Sequence, residues 1–397
     1  LAFSESSKFS AEIEEKLNVP AGKVTNYLQK ASKVYDLTAD LFIFGSFHRP
    51  KNLMNWKSLK TLLNFRKLQA FDSLHDFNIR ELREKRLVQL FDRYATYNGS
   101  NPYQTPATLS VISHLEHNLG AFVPEGGMFR VTNSLVHQAL RLGIEFHFNQ
   151  PVRKVETENG SVKGVWIDSG FVAADIVISD VDIHLFYSSL LPDQKRLAKI
   201  TKEERSSSAL IFYWGMKGTF PELDVHNIFF SADYQEEFRQ LFQVKKVYSD
   251  PTVYIYVSSK YNKSDAPEGC ENWFVMVNAP ADVGQNWDEL IEQSRKNILE
   301  KLERMLNQKL SDGIVGEEIL SPSGIAKQTG SVNGSLYGSS SNSRYASFNR
   351  HANFRSDMKG LYFVGGSVHP GGGIPLCLSS AHIVDGLVEE QLKKQKK

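Results

Sequence analysis

Only two cysteines, Cys270 and Cys377, occur in the 397 residues. They lie far apart, without CxxC or Cys/His spacing, so neither a disulfide framework nor a zinc site is suggested, and a reducing cytoplasm fits best. Charge of one sign is not in excess. The 46 basic side chains meet 45 acidic ones, without the Lys/Arg surplus of a nucleic-acid binder. No apolar run approaches the ~18 residues that span a bilayer, and the start lacks a signal-peptide layout. A soluble or membrane-peripheral protein is expected. Also lacking are a Walker loop, HExxH, a Ser/His/Asp order, paired carboxylates at a recognisable spacing and any internal repeat. The first residue is Leu1 and no strand-turn-helix opens the chain, which reads as a truncated beginning.

The length favours two domains. Helical periodicity begins at Ser10, a plausible cap before Ile13 and Leu17, and resumes after Pro20 with Val24, Leu28, Ala31 and Tyr35. Residues 78–119 continue helix-like, interrupted by a loop at 97–102 rich in Asn, Gly and Pro. After Gly126-Gly127 the texture changes. A helix through Leu135 and Leu140 ends near Gly143, and strands are expected at 144–148, 152–157, 162–167 and 171–178, with Asn159-Gly160 as a hairpin turn. Further strands at 209–213 and 253–257, a long amphipathic helix over 287–310 and a Ser/Gly/Asn loop over 331–343 complete a mixed α/β (α+β) chain.

The chemistry concentrates at 360–375, Gly-Leu-Tyr-Phe-Val-Gly-Gly-Ser-Val-His-Pro-Gly-Gly-Gly-Ile-Pro, followed by a helical pattern from 376 to about 394. This reads strand, glycine loop, helix. Gly365, Gly366, Gly371, Gly372 and Gly373 let backbone approach a flat ligand. The helix start after Gly373 aims free N–H groups and a partial positive charge at it, with Ile374 counted among the cofactor-binding candidates. A tight turn is the plainer reading of the same pattern. His369 is the nearest candidate catalytic acid or base, its alternative being a loop histidine that shapes the turn. His226 reads as structural.

A second region, 41–71, contains no Asp or Glu but carries Arg49, Lys51, Lys57, Lys60, Arg66 and Lys67. Drawn as a helix, Lys57, Lys60, Asn64 and Lys67 gather on one side and Trp56, Leu59, Leu62 and Leu63 on another, with Arg66 interrupting the stripe. That pattern suits a membrane-facing interfacial helix, and also a solvated basic helix packed on the core.

The 360–375 segment closely resembles the C-terminal flavin motif of bacterial-type phytoene desaturases, where a similar His-Pro-Gly loop and helix start lie along the isoalloxazine ring. Val-Pro-Glu-Gly-Gly-Met at 123–128, Ala-Asp-Ile-Val-Ile-Ser-Asp at 174–180 with His184, and Gly-Ser-Leu-Tyr-Gly at 334–338 resemble the same family in the same order. The stretches 94–102 and 226–234 are most like the branch acting on 1-hydroxycarotenoids at the 3,4 bond. The resemblance spans nearly the whole chain. It implies an FAD-binding two-dinucleotide-domain flavoprotein fold lacking its first βαβ unit, with an interleaved substrate domain. The expected organisation is a helical substrate and membrane-facing region (1–119), an FAD segment with a strand meander (120–190), a substrate domain (191–320) and a C-terminal FAD segment (321–397).

The implied activity is carotenoid desaturation, with a hydride passing to flavin N5 and a proton lost. The carotenoid substrate would be met by a cytoplasmic enzyme bound peripherally at the membrane surface. By the same resemblance Val152 meets the adenine end of FAD through its backbone, although a core valine explains it equally. Tyr337, Asn349 and Arg350 are expected near the flavin or the substrate tunnel. The departure is the missing GxGxxG and the acidic residue about 20 positions beyond it, which hold pyrophosphate and ribose. Either upstream residues supply them or FAD has been lost. Neighbouring functions on the same platform are a carotenoid isomerase or saturase, and a non-catalytic carotenoid binder. No metal and no particular oligomeric state are implied.

Overall fold

In the computed structural model, which describes residues 1–54 and 71–396, the first third is helical because its apolar residues fall one turn apart. Helices Ser6–Leu17 and Ala21–Phe42 pack with Leu74–Leu82 and Lys85–Asp92 around Phe9, Tyr27, Phe77 and Phe91. Ser73 and Glu84 cap the latter two, accepting from the amides of Asp76 and Leu87. Ser10 is not a cap. It lies buried inside the first helix, which begins at Ser6. The expected helix-like run to 119 breaks into short 3₁₀ and π turns at Arg93–Asn98, Ala107–Ser110 and Leu115–Leu119.

Strands β1 (Val152–Glu158), β2 (Ser161–Ile167) and β3 (Gly170–Ala173) form the expected antiparallel meander. Asn159 (φ 49°) and Gly160 (φ 71°) turn the chain between β1 and β2. The single strand expected over 171–178 is two, because the chain changes partner at 174–176. β3 stays with β2, whereas β4 (Val177–Ser179) runs parallel to β11 (Met358–Phe363). The bend packs on Gly360 of β11, where a Cβ would stand 2.3 Å from the Asp175 carbonyl oxygen. β10 (Phe354–Arg355) adds antiparallel to β11. The C-terminal helix Ile374–Gln395 lays Ile383, Val384 and Leu387 against Tyr362.

The strand expected at 144–148 does not form, since among the described residues nothing pairs with it. The Ile144 amide instead donates to the Ala139 carbonyl, closing helix Phe129–Arg141. That helix buries no side chain. Phe122, Phe129, Leu135, Leu140, Leu142 and Phe148 are exposed, leaving a broad uncovered apolar face.

A second sheet is antiparallel throughout: β6 (His226–Phe229), β7 (Val253–Tyr256), β8 (Cys270–Ala279), β5 (Ser208–Lys217) and β9 (Ile314–Leu320), in that spatial order. Helix Trp287–Leu306 packs Ile298 and Leu302 into the core beside Phe212, Trp214 and Trp273. It stops before the expected 310 because Asn307 turns left-handed (φ 51°). No helix among the described residues is long and apolar enough to cross a membrane.

Candidate flavin site

β11 delivers the chain into the glycine loop exactly where the parallel pairing with β4 ends. The Val364 amide donates to the Ser179 carbonyl at 2.9 Å and the Gly365 amide to Ser380 Oγ at 2.8 Å. The loop is thereby tied to the strand beside it and to the helix that follows.

Tyr337 fills the inner side of the loop. A Cβ on Gly372 would meet its Cδ1 at 2.7 Å, and a Cβ on Gly99 would meet its Cδ2 at 2.7 Å. The ring is wedged between two residues that must both be glycine. An internal side chain is therefore one reason for glycine at 372, beside the close ligand approach expected of it. Gly373 differs. At φ 95° its Cβ would project into open space, beside the first turn of helix Ile374–Gln395, which has no side-chain cap and no acidic residue.

Arg350, only 3% exposed, donates from Nη1 to the carbonyls of Tyr337 (3.1 Å) and Gly366 (3.0 Å), and from Nη2 to that of Ser339 (2.7 Å). Burial pulls the guanidinium down to about 10, which leaves it charged at neutral pH. No carboxylate forms an ion pair with it among the described residues. A buried cation thus stands behind the loop, held by carbonyl oxygens.

His369 is 2% exposed, and its Nε2 bonds the Gly45 carbonyl at 2.8 Å, an acceptor that requires the proton on Nε2. Burial pushes its pKa down to about 4. His351 is neutral for the same reason, also pushed to about 4. Its Nδ1 faces the Ala352 carbonyl (2.6 Å) and its Nε2 faces the Tyr187 hydroxyl (3.0 Å).

Gly365, Gly366, Gly371, Gly372, Gly373, Ile374, His369, Tyr337 and Arg350 therefore gather in one place. Asn349 precedes the buried Arg350 with its side chain exposed. Val152, 38% exposed, opens β1 opposite Ile167. Trp56, Lys57, Leu59, Lys60, Leu62, Leu63 and Lys67 lie outside the described residues. Of the same basic stretch, Arg49 and Lys51 pair with Glu390 of the C-terminal helix.

Sequence reasoning missed Gly45, Phe47 and His48. Phe47 packs against His369 (centroids 5.0 Å apart), and His48 Nε2 bonds the Arg350 carbonyl at 3.0 Å. Phe47-His48 carried a signal, an aromatic-imidazole pair beside Gly45, but the surrounding basic charge drew attention to the membrane instead.

The residues present fit the ring end of a flavin. Gly373 leaves an open backbone face at an uncapped helix start, and a fixed cation lies behind it. The fold and site define a flavoprotein built on a mixed sheet with an antiparallel sheet beside it. The chain belongs to the flavin-containing amine oxidoreductases, whose family model matches residues 5–384, and is an FAD-dependent oxidoreductase. It is 46% identical over 380 residues to a 1-hydroxycarotenoid 3,4-desaturase of Flavobacterium sp. (strain P99-3), covering 96% of this chain and 78% of that protein. It is 32% identical to a 4,4'-diaponeurosporene oxygenase of Staphylococcus aureus (strain MSSA476), covering 94% and 76%. The fold is similar to that of an oxidoreductase from Methanosarcina mazei, with a TM-score of 0.54 at 15% identity over 86% of this chain and 75% of that one.

Proposed function

We propose that this chain desaturates a carotenoid, removing two hydrogens at the 3,4 bond of a 1-hydroxycarotenoid. The observation that carries the reading is the glycine loop with one open backbone face, in a chain similar over nearly its whole length to a desaturase of that specificity.

A bound flavin supplies the acceptor for a hydride. The chain's own residues hold and polarise the site. Tyr337 sets the height of the loop by filling its inner side. The Arg350 charge lies behind the Gly366 carbonyl and would stabilise negative charge on a flavin held at the loop. The helix start adds an electrostatic contribution of about 0.3–1 kcal/mol in the same direction.

His369 acts as a pin. Its Nε2–H is committed to the Gly45 carbonyl and it stays neutral to about pH 4, so we assign it to shaping the loop, with the substrate proton leaving to water or another base. Val152, at the exposed start of β1, remains our assignment for the adenine end.

A polyene is insoluble in water, so the enzyme meets it at a bilayer, and we assign that docking to the basic, apolar stretch 41–71. Each basic residue near an anionic surface contributes roughly 1 kcal/mol.

Anaerobic mixing of the flavin-loaded protein with a 1-hydroxycarotenoid in liposomes tests the reading. Bleaching of the oxidised flavin absorbance is expected, and a spectrum unchanged over many minutes would count against it.

A further inference from the structure

At the junction of the helical layer and the second sheet, a polar cluster lies outside the loop just described. Arg93 donates from Nη1 to the Tyr97 hydroxyl and stacks over the rings of Tyr94 and Tyr97, 5.1 and 5.0 Å from their centroids. Tyr97 bonds Glu116 Oε2 at 3.2 Å. Tyr94 stands 2.9 Å from both Glu116 Oε1 and His117 Nε2.

Donors and acceptors do not balance here. His117 Nδ1 faces the Phe3 carbonyl at 3.1 Å, which puts its proton on Nδ1 and makes Nε2 an acceptor. The single Tyr94 proton is then claimed by two acceptors. On the other side of the cluster, Arg93 Nε is buried with no acceptor.

The cluster has an open side. Tyr97 is 40% exposed, although crowding by protein atoms pushes its phenol up to about 12. On the β6–β7 edge of the second sheet His226 stacks on Tyr254 and Tyr256 and bonds the Tyr254 hydroxyl through Nδ1 at 2.7 Å. Glu116 and Arg93 are close enough to act electrostatically on His226, and Tyr97 and Arg93 on Tyr254. Among the described residues no hydrogen bond engages His226 Nε2, and the side chain lies at the exposed edge.

The cluster is also joined to the flavin loop. Two residues beyond Tyr97, Gly99 abuts Tyr337, whose opposite edge abuts Gly372.

We propose that Tyr97, Glu116 and His226, backed by Arg93, form a site that hydrogen-bonds the hydroxyl of the polyene's oxygenated end and sets which bond reaches the flavin loop. This rests on the desaturase reading and adds to it the residues that choose the substrate. A hydroxyl on carbon 1 lies only a few bonds from the 3,4 bond. Holding it therefore fixes the reacting carbons, whereas a hydrocarbon end could slide along an apolar tunnel.

The test uses the flavin-loaded full chain with two polyenes that differ only in the tertiary hydroxyl, measuring turnover and, by quenching of protein fluorescence, binding. The parent should favour the hydroxylated polyene by about ten- to a hundred-fold in both, as for a hydrogen bond to charged or polarised groups. Tyr97→Phe and Glu116→Gln should each cut that preference at least about fivefold, by weakening turnover and binding of the hydroxylated polyene more than of the deoxy one. His226→Asn, at the exposed edge, does the same without disturbing the buried bonds if either of those variants fails to fold. A preference that survives all folded variants overturns the proposal, as does an equal loss with both polyenes. If the parent desaturates neither polyene, the functional reading falls, while the binding preference still decides the site.

Discussion

Lowering the pH should unfold this protein through His369, and the size of the effect follows from its burial. An exposed histidine in the unfolded chain takes up its proton near pH 6.5, whereas buried His369 does so only near 4. Because the folded pKa is depressed, the stabilisation is complete above pH 6.5 and is lost as the pH falls towards 4. At pH 5 linkage makes this about 2 kcal/mol for one such histidine. His351, also pushed to about 4, adds a similar amount.

Buried Asp92 and Glu237 work in the opposite sense. Burial raises both, so what they contribute is retained at low pH and lost as the pH rises through their folded values. The wild-type slope is therefore a sum, and a variant is needed to isolate one contribution. His369→Gln can keep a donor to the Gly45 carbonyl but cannot titrate. Urea unfolding at pH 7 and pH 5 should give a loss of stability smaller in the variant by about 2 kcal/mol. An identical loss in both proteins would refute the burial argument and reopen His369 as a proton carrier.

Two further outcomes test the loop and the membrane stretch. Gly372→Leu drives a Cβ to within 2.9 Å of the Tyr337 Cα, where backbone has to shift, so it should cost about 1–3 kcal/mol of stability and empty the flavin site. A folded variant with a full flavin spectrum would show that the loop does not hold the ring. Replacing Lys57, Lys60 and Lys67 together with Glu should weaken sedimentation with anionic liposomes several-fold at low salt, where charges act over about 10 Å or more, with flavin content unchanged. Undiminished binding would remove these lysines from membrane docking.

The glycine loop and its flanking strand and helix were legible because local chemistry dictates them: a cluster of glycines, a proline in the first helical turn and a switch of apolar period. The β1–β2 hairpin was legible from Asn159-Gly160 for the same reason. Features set by distant partners were not. Residues 144–148 look like a strand, yet a strand exists only where a ladder partner is present. The run 171–178 looks continuous, but its partner changes midway. β8 escaped notice although every second residue of it is buried, since a buried Glu271 and half-buried Phe274 and Met276 blur the alternation. The clash of Gly372 with Tyr337 was not legible, for only the fold brings Tyr337 and Gly99 to it.

The central claim is that this flavin platform removes hydrogen from a polyene, and related chains on the same platform include an oxygenase. The mass of the product separates these chemistries most directly. The flavin-loaded protein, given a 1-hydroxycarotenoid in liposomes for a single turnover, should yield a product lighter by two hydrogens, with its absorption shifted to longer wavelength by one added conjugated double bond. An unchanged mass, a gain of two hydrogens or a gain of oxygen would contradict the account.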